Sequence, residues 1–190
     1  MDLCHIAMAG GPHAPTGTHA ALAGIILMSK AELYEGTTEY DKAIAGYEDA
    51  LLLAKPARPQ DIKDFAPELI ANNLAMLMAL YRPEQADKAI KMMDEVIAIR
   101  GPAPVFLDTR AVCSIVKGGR TEEAAKDLSL ALIQQRKAVY LFHLAWAYDL
   151  SPSKRGLRDR TLEEAKKMGL KPEDLHPMEV RKFNELYRTK

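Results

Sequence analysis

The sequence predicts an all-α fold: about four helix-turn-helix units in series, closed by a C-terminal helix. Three observations carry this. Apolar residues recur at helical spacing, and β-branched runs with period two are absent. Glycine and proline punctuate the chain into helix-length segments, at Gly36, Pro56, Pro83, Gly101-Pro102, Gly118-Gly119, Ser151-Pro152 and Gly169. Pairs of such segments return about every 34 to 40 residues, a period typical of helical repeats.

In chain order, residues 1–17 read as a loose leader. A first helix starts at Thr18, a serviceable cap, runs through Ala21, Ile25, Met28, Leu33 and Tyr34, and breaks at Gly36. Its partner spans Glu39 to Lys55, with Ile44, Tyr47, Leu51 and Ala54 on one face. A loop from Pro56 to Phe65 follows. The second pair opens with Pro67 in a first helical turn and carries Leu69, Asn73, Leu74, Met76, Leu77 and Leu80; Pro83 interrupts it. The partner, Glu84 to Arg100, ends on glycine then proline.

The third pair runs from Pro104 to Gly118 and onward from Thr121, whose neighbours Glu122 and Glu123 suit a helix N-terminus. The fourth has Leu141, Leu144, Ala145 and Tyr148 in its first helix. A basic linker (Lys154, Arg155, Arg158, Arg160) then leads into a helix over Thr161–Met168. Pro177 to Tyr187, with Val180, Phe183 and Leu186 apolar, reads as a cap on the end of a stack, and His176 helps to start it. The expected units are thus 18–56, 66–102, 104–136 and 138–169 within a repeat domain 18–170, with 171–190 as the cap.

Composition narrows the job. Lys plus Arg equals Asp plus Glu, 26 each, so the excess of cations that a grip on phosphates or anionic lipid needs is missing. We therefore expect neither a nucleic-acid nor a membrane partner. Cys4 and Cys113 lie far apart with no CxxC spacing, so a disulfide scaffold is not expected and a cytoplasmic setting is. Between Leu3 and Ser29 no charged residue occurs, yet Asp2 at the start and Gly10, Gly11, Pro12, Pro15 and Gly17 within the stretch do not suit a signal peptide.

Small residues recur at matching places in each pair: Ala31 with Ala43 and Ala50, Ala75 with Ala89, Ala111 with Ala124 and Ala131, Ala145 with Ala165. Helices crossing at about 8–10 Å need small side chains at the contact. Lys30-Ala31 with Tyr34, and YDKAIAGYEDAL over 40–51, resemble the two-helix consensus of the tetratricopeptide repeat family. The later units are looser, and the series NNLA, LDTRA, HLAWAY and GLKPEDLHP looks like the C-terminal end of bacterial members.

The resemblance implies a right-handed superhelix with the first helix of each pair lining a concave groove. Projection around each alanine then places Met28, Glu32, Asn72, Met76, Asp108, Val112, Phe142 and Trp146 towards that groove, a strip suited to a peptide. Alternatively, several of these residues pack between units. Some relatives hold a carboxylate tail with Lys, Asn and Arg; here only Asn73 matches that pattern, while Met28, Glu32, Val105 and Thr109 stand at the other places. A role on chaperone tails is therefore not expected.

Catalytic signals are weak. Cys4, His5, His13 and His19 match no standard zinc spacing, Cys113 lies on an apolar helix, and no P-loop, HExxH, GxSxG or GxGxxG occurs. His143 is expected to pack or to bond locally. No cofactor or metal is expected. The reading is a non-enzymatic scaffold that binds a protein or peptide. The alternatives are an RNA-binding helical repeat, which would need a basic, base-reading groove, or the regulatory end of a larger signalling enzyme.

Overall fold

The computed structural model describes residues 17–54 and 67–188, with side chains described from Ala23 to Leu53 and from Pro67 to Arg188. Most of the leader, the loop Pro56–Phe65, and Cys4, His5 and His13 lie outside the described residues, as does the His19 side chain. What is described is all-helical and repeat-like. Nine α-helices follow one another among the described residues: α1 (Gly17–Gly36), α2 (Tyr40–Ala54), α3 (Pro67–Tyr81), α4 (Ala86–Arg100), α5 (Pro104–Lys117), α6 (Thr121–Gln134), α7 (Ala138–Asp149), α8 (Arg155–Lys167) and α9 (Val180–Arg188). None is long and apolar enough to cross a membrane. The chain divides into two compact units, Met1–Leu74 and Ala75–Lys190, at a boundary inside α3.

In the first unit α1 packs on α2. Ala31, Ala43, Tyr47 and Ala50 are wholly buried. Their helices approach so closely that a Cβ placed on Gly46 would meet the Ala31 Cβ at 3.0 Å. The Tyr47 hydroxyl, buried at this crossing, donates to Glu35 Oε2 at 2.7 Å. Burial, and then that carboxylate, hold its pKa well above the ordinary tyrosine value, so it stays a donor. Thr37 closes α1 by donating its hydroxyl to the Leu33 and Tyr34 carbonyls, and Thr38 turns the chain with φ at 62°.

In the second unit α4 packs on α5, α5 on α6, α6 on α7 and α7 on α8, while α5 also meets α7 and α7 meets α9. One core joins Leu107, Ala111 and Ile115 of α5 to Ala124, Leu128 and Ala131 of α6 and Tyr140, Leu144 and Ala147 of α7. A second joins Leu141, Phe142 and Ala145 of α7 to Leu162 and Ala165 of α8, then Leu170, Leu175 and Leu186. The ten alanines that recur at matching places in the helix pairs have no exposed surface. Burying such a residue requires a neighbouring helix at close range, which is what the periodic placement of small residues predicts.

Helix ends follow the local signals with a few corrections. Gly101, Gly118 and Gly169 all adopt positive φ at helix ends, where a Cβ would be strained. Pro83 forms a 3-10 turn, Pro83–Gln85, so α4 begins at Ala86 rather than Glu84. α1 begins one residue before Thr18, and Thr121 is the first residue of α6 rather than its cap. The largest difference is the basic stretch, which is helical from Arg155 onward. Two of its cations are paired with acids on other elements. Arg158 is buried, bonding Asp149 at 2.8 Å and Asp159 beside it, and Lys154 pairs with Glu122.

Candidate functional site

The side chains expected to line a groove divide between the two units and differ widely in access. In the first unit Glu32 is exposed, Met28 and Asn73 are half-buried, and Asn72 is buried with its amide Nδ2 3.5 Å from Asn73 Oδ1. In the second, Met76 and Trp146 are half-buried. Val112 and Phe142 have no exposed surface at all, and Asp108 is buried. Those three are core residues in this structure and present nothing to a partner.

The reason is the way α7 is enclosed. It runs between α5, α6 and α8, and α9 adds a fourth contact, so most of its circumference is covered. The Phe142 ring meets Phe183 of α9 at 5.9 Å between centroids and Trp146, one turn along α7, at 6.3 Å. Trp146 touches both cores and keeps the rest of its surface open. Of the expected groove residues, the structure therefore brings Phe142 and Trp146 together, one as support and the other at the surface.

Asp108 has a different partner. Its Oδ1 lies 2.7 Å from Nδ1 of His143, whose Nε2 lies 2.8 Å from Oε1 of Glu179. Imidazole, Asp108 and Glu179 side chains are 1%, 9% and 3% exposed, so this is an ion cluster sealed from water. Burial alone pushes a histidine pKa down; here the Asp108 and Glu179 carboxylates override it and raise the value to about 10. Glu179 moves the other way: burial would raise its pKa, but the His143 cation and the backbone N–H of His176 bring it below the ordinary carboxylate value. His143 thus bonds across helices rather than locally. One sign of this is legible in the sequence, since the cluster's partners lie 35 and 36 residues from His143, one repeat on either side.

Two other groups with chemical reach are also occupied by the fold. Cys113 is buried and its Sγ lies 3.6 Å from the Ala75 carbonyl oxygen; burial pushes the thiol up to about 12, so no thiolate is present at neutral pH. Arg110 spans α4 and α6, donating from Nε and Nη2 to both Asp127 oxygens at 2.8 Å and from Nη1 to Asp94 at 2.8 Å. Among the described residues no group of three or more His, Cys, Asp or Glu is arranged to hold a metal ion. No protein-family model matches the chain, and no curated protein sequence matches it.

Proposed function

We propose that this chain is a non-catalytic protein-interaction module of the tetratricopeptide type, a right-handed stack of about four repeats with a C-terminal cap, working in the cytoplasm. Its partner would be a peptide or protein segment held on the first-helix side by residues that need no rearrangement. The observation that carries this reading is Trp146, half-buried against two cores and backed by the Phe142 ring at 6.3 Å. An aromatic held in place by packing, with one side open, loses little entropy on binding and makes a good anchor. Met76 is the other half-buried apolar side chain of the strip in the same unit. The chemically capable groups favour the same reading, because Cys113 is sealed and both His143 nitrogens face carboxylates.

The test is affinity capture followed by mass spectrometry with wild type, Trp146→Ala and Met76→Glu, each checked for native helicity. Partners retained by wild type and lost by both variants support the surface. Undiminished capture by both variants removes it.

A further inference from the structure

Both ring nitrogens of His143 face a carboxylate oxygen, at 2.7 and 2.8 Å. An ionised carboxylate only accepts hydrogen bonds, so both nitrogens must donate and the ring must be an imidazolium. A neutral ring would set a lone pair against an anion on one side. The three members come from three elements: α5, α7, and the 3-10 turn Pro177–Glu179 that leads into α9. Glu179 also accepts the His176 backbone N–H through Oε2 at 3.0 Å, so the residue that holds the ring also starts the terminal helix. Beyond it the segment is held by Phe183 against Phe142, by buried Leu186, by Lys182 on Asp149 at 2.7 Å and by the Tyr187 hydroxyl on the Leu162 carbonyl at 3.1 Å.

We propose that the terminal segment Pro177–Arg188 is a strap whose detachment is coupled to the loss of a proton from His143. The segment cannot leave without taking Glu179 with it. Detachment removes one of the two anions from the ring and admits water, while Asp108 stays on Nδ1. The ring then gives its second proton to solvent at a lower pH than it does beneath the strap.

The direction follows from linkage. The closed-state pKa is raised from the ordinary 6.5 to about 10, so the strap's hold is complete at the acid end of that interval and declines as pH rises through it. The other ionisable groups around the cluster are buried or have partners of their own. Cys113 and Tyr140, the other ionisable groups near Asp108, are both pushed up to about 12 by burial and stay neutral. From α6, Asp127 is bound by Arg110; from α8 and α9, Arg158 and Lys182 are both bound to Asp149. The His176 ring accepts the Met178 N–H beside Glu179.

Native-state hydrogen exchange on the full chain tests this, read at the Val180–Arg188 amides and, for comparison, at α6, between pH 7 and 9 after correction for intrinsic exchange. In wild type the opening constant of the α9 amides should rise with pH, by up to tenfold per unit where the open ring is neutral and the closed ring charged. In folded His143→Gln that rise should vanish. Glu179→Gln, which keeps the apolar contacts of the strap, carries the same expectation should His143→Gln fail to fold. A flat wild-type profile, an equal rise in the variants, or α9 amides that exchange only together with those of α6 would each overturn the proposal.

Discussion

Truncating Phe142 separates the two readings of α7. The ring has no exposed surface and packs on Phe183 and Trp146, so Phe142→Ala removes a full aromatic from a closed core. Such truncations cost about 3–5 kcal/mol, the lost transfer energy plus the cavity left behind. For a unit of roughly 116 residues, an unfolding entropy of ~2.1 cal/mol/K per residue gives about 4 °C of melting temperature per kcal/mol. The expected drop is therefore about 12–20 °C, read by circular dichroism at 222 nm. Trp146→Ala, which removes a half-buried ring, should lower the melting temperature less. A Phe142→Ala variant melting within about 2 °C of wild type but failing to bind its partner would place the side chain on a surface and refute the reasoning.

Four further outcomes are expected. Ala124→Leu, at a crossing with no free surface, should overpack α6 and cost about 1–3 kcal/mol by chemical denaturation; an unchanged midpoint would contradict the close approach of the helices. Arg110→Ala should leave the mostly buried Asp127 carboxylate without its paired donors and cost about 1–3 kcal/mol, with Asp127→Asn recovering part of the loss in the double variant. Global stability should be highest between the ordinary Glu and His values of 4.5 and 6.5, falling on the acid side as Glu179 is protonated and on the alkaline side towards about pH 10 as His143 is deprotonated. His143→Gln should flatten the alkaline limb of a melting-temperature profile. Cys113 should resist iodoacetamide at pH 8 in the native protein and react once denaturant is added, as peptide mapping would report.

The helices were legible because their signals are local. A small residue repeating once per turn-pair, a proline in a first turn and a glycine after a last turn each act within a few residues, and the matching ends lie where those residues stand. The alanine crossings were legible for the related reason that size alone selects them. Side-chain direction on α7 was not. Projection around Ala145 considers one helix pair at a time and takes no account of the terminal segment, whose Phe183 lies on Phe142 and whose Glu179 reaches His143. Without that segment Phe142 looks open to a partner and His143 has no visible carboxylate beside it. The helical start at Arg155 was hidden for another reason: its positive charges look like a solvated loop until Asp149 and Glu122 are brought beside Arg158 and Lys154.

The spacing of the buried ion cluster has a consequence for how this chain can change in length. Repeat arrays ordinarily gain or lose modules with little penalty, because each neighbour offers the next the same apolar surface. Here an acid on α5, a base on α7 and an acid on the turn before α9 meet in one cluster, 35 and 36 residues apart. Excising residues 137–172, the 36 that separate the base from the second acid, would remove His143 together with Ala145 and Ala165 and bring Glu179 towards Asp108 with no cation between them. Two carboxylates sharing a dry site repel until one takes up a proton. The modules at this end are therefore addressed by charge and not interchangeable, and a shortened array would fold well only with one of the two acids replaced.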